Sequence, residues 1–121
     1  MSRHLILRAE TKYGERRTPL IPPNAAVLIR RGVRIDVESS SDRAFLDSEY
    51  RAIGANLVPA GTWRTAAPAT LVLGLKELPS DTSPLPQIHS YFAHCFRGQR
   101  DARRVLEQFR NGGGTLYDME Y

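Results

Sequence analysis

The run ATLVLGL, Ala69 to Leu75, decides the fold of this chain. It has strand length and, Thr70 apart, no polar position to alternate with, which is the pattern of a strand covered on both faces inside a parallel sheet. Strand and helix signals alternate around it. Upstream, HLILR (His4 to Arg8) reads as a first strand, and the loop AETKYGERRTPLIPP ends in prolines suited to the first turn of a helix, NAAVLIRRG, which Gly32 stops. VRIDVES alternates as a second strand. LDSEYRAIGA offers Asp47 as N-cap, Glu49 in the first turn and Gly54 as terminator, and NLVPA is a third short strand. Downstream, QIHSYFAH is the next strand, and QRDARRVLEQFRN sets Ala102, Val105, Leu106 and Phe109 at i, i+3, i+4 and i+7 as one apolar stripe. NGGG closes that helix and TLYDME opens a last strand. This order predicts a three-layer α/β domain, a mainly parallel sheet flanked by helices.

The 121 residues make a single domain over 1–121. A chain of this size buries roughly two thirds of its unfolded surface, enough for one modest core. Seventeen basic against thirteen acidic residues give a net charge of +4, mostly from Arg, a mild bias towards anionic partners, with nucleic acid one class to weigh. Arg97, Arg100, Arg103, Arg104 and Arg110 could make a basic helix face, but without interleaved exposed aromatics or a recognisable reading motif nucleic acid is not an expected partner. No apolar run has the roughly 20 residues of a membrane helix, and the N-terminus lacks a signal-type apolar core. A lone cysteine makes no internal disulfide, and a cytoplasmic location is expected.

Two motifs lose their meaning in context. RNGGGTLYD is glycine-rich, but its glycines follow a helix and precede a strand, whereas a dinucleotide loop follows a strand and opens a helix. They read as a helix cap. His4, His89 and His94 lie apart with no cysteine pair, so no metal site is expected.

In a parallel α/β sheet the strand carboxyl ends share one edge, and ligands bind outside it. Lys12, Glu15, Arg16 and Arg17 follow the first strand, Lys76 and Glu77 follow the apolar strand, and His94 ends the next, with Arg97 beyond. Taken singly, each is more often a solvated or structural residue. Converging on one edge, an Arg to clamp a carboxylate and a Lys and a His to move protons make a site for acid/base chemistry on an anionic substrate. Alternation along the strand puts Cys95 on the face opposite His94, as a small buried hydrophobe and not a nucleophile.

The blocks LRAETKYGERRTPLIP, VPAGTW, GLKELP, YFAHC and GGGTLYDMEY, in this order, resemble the N-terminal substrate domain of NAD-dependent, lysine-forming saccharopine dehydrogenases, in the wider alanine dehydrogenase and transhydrogenase group. The resemblance implies a Rossmann-like domain facing an NAD domain across a cleft, and a reaction that converts saccharopine, NAD and water into lysine, 2-oxoglutarate and NADH. It places the catalytic pair on Lys76 and His94, a substrate-carboxylate arginine on Arg17, and Lys12 and Arg97 beside the substrate. Glu77 and Glu120 match acidic residues that tune the pair. NAD is the cofactor it implies, and none is expected to bind this chain by itself. The chain stops at Tyr121, where the family's NAD domain is about to begin, so that domain is expected in cis or trans and the chain alone is expected to be inactive. A fragment, one subunit of a split enzyme, and a stand-alone carboxylate-binding or regulatory module all remain open, as do an alanine dehydrogenase-like reaction and a homodimer.

Overall fold

The computed structural model describes residues 3–95 and 102–119. Its elements run β1 (Arg3–Leu7), α1 (Pro22–Arg30), β2 (Val33–Glu38), α2 (Asp47–Ala52), β3 (Asn56–Val58), a short 3-10 helix (Thr62–Thr65), β4 (Leu71–Leu73), β5 (Ile88–Tyr91), α3 (Ala102–Gly112) and β6 (Thr115–Asp118). The strands form one sheet in the order β3-β2-β1-β4-β5-β6, with every neighbouring pair parallel. Strand order reverses between β1 and β4, which makes the carboxyl ends of those two strands the switch point of the sheet.

The three layers follow from side-chain alternation. Leu5 and Leu7 of β1 pack with Ala25, Ile35, Val37 and Tyr50 in a core beneath α1 and α2. Ile6 points the other way, into a second core with Trp63, Val72, Tyr91 and Phe109. On β4, Val72 joins the second core while Leu71 and Leu73 pack against the first, so both faces of the central strands are apolar. The strand of the ATLVLGL run is shorter than the run itself: Ala69 is exposed, β4 spans Leu71–Leu73, and the chain bends at Leu75 and Lys76.

Buried carboxylates staple the loops to this sheet. Glu38, at the end of β2, accepts the Ala9 N–H at 3.0 Å and the Trp63 N–H at 2.8 Å, fastening the segment after β1 and the 3-10 helix together. Asp36 accepts from His4, Arg34 and Asn56 across three strands. His89 of β5 is fully buried, with Trp63, Phe109 and Tyr91 edge-on around it at 5.3, 5.4 and 6.4 Å and the Gln87 amide oxygen 3.2 Å from its Nε2.

Three local expectations are corrected. Asp47 is not the N-cap of α2: Leu46 takes that position, its N–H bonded to the Glu49 carboxylate at 2.7 Å, while Asp47 ties down Ser39 and Ser40. Leu106 leaves the apolar stripe of α3 and stands 48% exposed. The helix instead presents Gln108, whose carbonyl accepts the Leu85 N–H at 2.9 Å and whose amide donates to the Ser83 carbonyl at 2.9 Å, so docking the preceding loop sets the rotation of α3. Lastly, β5 ends at Tyr91, so His94 lies in a turn and strand alternation does not reach it. The NGGG segment does cap α3, with Gly113 at φ +78°. Gly112 and Gly114 press on the Leu85 backbone, where a Cβ would collide.

Candidate active site

Lys76 follows β4 and is held by its backbone. The Glu10 carboxylate accepts the Leu75 N–H at 2.9 Å and the Lys76 N–H at 2.8 Å, and the Arg8 guanidinium donates to the Lys76 carbonyl at 2.6 Å. Arg8 is itself buried, 3.6 Å from Glu10 and stacked over Tyr91 at 5.4 Å. It fits only because residue 74 is glycine, since a Cβ there would overlap the guanidinium.

The Lys76 Nζ, its side chain 32% exposed, lies 3.9 Å from the Glu15 carboxylate. Glu15 in turn takes the Arg17 fork, with Nη2 at 2.8 Å, Nε at 3.0 Å and the Arg17 backbone N–H at 3.0 Å. The hydrogen-bonded Arg17 side chain, then its backbone N–H, hold the Glu15 carboxyl down to about 2, and the same pair raises Arg17. Glu15 therefore stays ionised across the neutral range and offers Lys76 a fixed negative neighbour. Its side chain is only 6% exposed, whereas that of Arg17 is 71% exposed.

Lys12, Lys76, Glu77, Leu78 and His94 line one cleft of about 230 Å³ at the carboxyl edge of β1, β4 and β5. The structure thus brings together four of the residues singled out from sequence. Arg17 does not line this cleft; it lies in the adjoining polar wall with Arg8, Glu10, Glu15, Thr18, Ser40 and Arg43. Arg97 and Glu120 fall outside the described residues.

His94 has φ +58°, the left-handed region, which costs a non-glycine residue about 1–2 kcal/mol. Cys95 is buried beside it, and burial, then the nearby Asp118 and Glu77 charges, push its thiol up. A protonated, enclosed thiol is a poor nucleophile, so the inert cysteine expected from sequence stands, on burial instead of strand alternation. Among the described residues no group of His, Cys, Asp or Glu is placed to hold a metal ion.

A family profile described as "Alanine dehydrogenase/PNT, N-terminal domain" matches residues 6–121. The chain belongs to this family. It is 48% identical to a saccharopine dehydrogenase (NAD, L-lysine-forming) of Schizosaccharomyces pombe, over 98% of this chain and 32% of that protein. With the Candida albicans enzyme of the same name it shares 46% identity, over 97% of this chain and 31% of that protein. The chain therefore spans about a third of the length of these relatives. Among solved structures it superposes on a transhydrogenase from Sinorhizobium meliloti with a TM-score of 0.70 at 19% identity, covering 96% of this chain and 35% of that one. An L-alanine dehydrogenase gives 0.70 at 23% identity, covering 94% and 32%. These two establish the Rossmann-like fold.

Sequence reasoning placed the cleft and missed what holds it. Glu15 stood in the right loop, yet nothing in its neighbours revealed that it would join Arg17 to Lys76. Glu10 and Asp118 carried one usable signal, a carboxylate at the carboxyl end of a parallel strand.

Proposed function

We propose that this chain is the substrate-binding and acid/base domain of an amino-acid oxidoreductase of the saccharopine dehydrogenase kind, working with an NAD-binding domain in cis or trans. The observation that carries the reading is the convergence of Lys76, His94, Lys12 and Glu77 on one cleft at the switch point of a parallel sheet. Near-50% identity to enzymes of that name supports it.

The described residues do not fit a dinucleotide. The turn after β1 holds no glycine cradle, and the NGGG glycines are spent on capping α3 and on contact with Leu85. The nicotinamide, which accepts the hydride, belongs to the partner domain. This chain contributes proton transfer and anion binding. Saccharopine must lose a proton from its secondary amine before that carbon is oxidised, and the resulting imine must take up water and release lysine and 2-oxoglutarate. Lys76 and His94, from the segments after β4 and β5 and lining one cleft, serve the two proton transfers, with Glu77 beside them and Glu120 in the same role. Lys12, Arg17 and Arg97 supply charge for the substrate's carboxylates. Arg17 reaches a substrate by exchanging the Glu15 fork for a substrate carboxylate, which the planar guanidinium matches bidentately.

The test is product analysis with the domain and its NAD-binding domain together. Saccharopine and NAD should yield lysine, 2-oxoglutarate and NADH. Turnover of alanine with none of saccharopine would reassign the substrate. If neither turns over while a dicarboxylate still binds and Arg17→Ala weakens it, the chain is a carboxylate-binding module.

A further inference from the structure

His94 is held in its turn from a different strand. Asp118 is the last residue of β6, is buried, and pairs in register with Tyr91 at the end of β5. Its carboxylate accepts the Ala93 N–H at 3.1 Å through one oxygen and the Cys95 N–H at 2.7 Å through the other. These are the amides on either side of His94. The Met119 N–H bonded to the Tyr91 carbonyl at 3.0 Å keeps the two strand ends together just below the clamp.

Between the clamped amides His94 adopts the left-handed φ of +58°, the only positive φ outside glycine among the described residues. Such a conformation in a residue bearing a Cβ persists where its surroundings over-determine it. The same device recurs after β4, where the Glu10 carboxylate takes the successive Leu75 and Lys76 amides. There no left-handed residue results.

We infer that Asp118 is the positioning residue for His94, its carboxylate fixing the left-handed turn that presents the imidazole to the cleft. The inference rests on reading His94 as a proton-transfer residue. Asp118 acts on His94 through the two backbone amides it accepts from. An asparagine would keep the size but offer one acceptor oxygen and one NH2 donor, so one of the two amides would face a donor. The turn could then relax out of the left-handed region and carry the imidazole away from its working position.

The test begins with the unmodified chain. Amide hydrogen exchange should be slow at Ala93 and Cys95, and the backbone scalar coupling of His94 should report a positive φ; fast exchange at both amides with a negative φ overturns the inference without any variant. Asp118→Asn should then lose protection at Ala93 and Cys95 by roughly ten- to a hundredfold, with β1 amides unchanged. In the protein joined to its NAD-binding domain, kcat should fall by roughly a hundredfold and KM by little, the signature of a displaced reacting group. Wild-type kcat in Asp118→Asn, with His94→Gln inactive, removes the clamp and keeps the functional reading. Wild-type turnover in His94→Gln removes the functional reading, while the exchange data still decide the clamp.

Discussion

Acid should destabilise this domain through a single buried imidazole. His89 is fully enclosed, and burial first, the Arg8 charge second, hold it down at about 3. In the unfolded chain the same group returns to about 6.5. Between those values the unfolded state binds one proton more than the native state, so stability present above the unfolded value is lost as pH falls towards the native one. The slope approaches about 1.4 kcal/mol per pH unit, and from about pH 7 to about pH 4.5 the loss integrates to about 2.5 kcal/mol. That is a sizeable share of the roughly 5–15 kcal/mol typical of a domain. The comparison is His89→Phe, whose ring suits the space between Trp63, Tyr91 and Phe109 and cannot take a proton. The variant leaves the Gln87 amide oxygen without its imidazole, which costs about 1–3 kcal/mol at neutral pH. Urea unfolding across this window should show the gap between the two proteins shrinking as pH falls. Glu15, held at about 2 in the folded chain, loses its stabilising effect only as pH nears its unfolded value, and does so equally in both proteins, so it cancels in the comparison. Parallel stability curves would refute the account of His89 as a neutral, buried group.

Glu38→Gln should lower stability by about 1–3 kcal/mol, because one of the Ala9 and Trp63 amides would face an NH2 group; urea unfolding reads it directly, and an unchanged midpoint would show that the staple carries no weight. Cys95 should react with iodoacetamide far more slowly at neutral pH than a free thiol does, and rise to the free rate on unfolding; fast labelling of the folded chain would contradict its burial.

The fold was legible because its signals are local. Continuous apolarity at Ala69 to Leu75 required two covered faces, and Leu5, Ile6 and Leu7 fill those two cores in turn. Gly32, Gly54 and Gly113 all adopt positive φ at the helix ends where they were expected. Lys76 and His94 could be aimed at one edge because parallel strands share a carboxyl end. The rest depended on contacts far apart in sequence. Leu106 faces solvent because Gln108 docks a loop some 25 residues upstream, which periodicity within the helix does not contain. The His94 turn takes its shape from Asp118, in another strand. A buried carboxylate whose partners are distant amides looks, in sequence, like any polar residue at a strand end.

In the function proposed above, Lys76 and His94 perform the proton transfers. The most direct measurement of this role is saccharopine-dependent NADH formation by Lys76→Met and His94→Gln in the protein carrying both domains, each with thermal unfolding as a folding control. Each variant should fold and lose turnover by roughly a hundredfold or more. Near-normal turnover in either folded variant would contradict it.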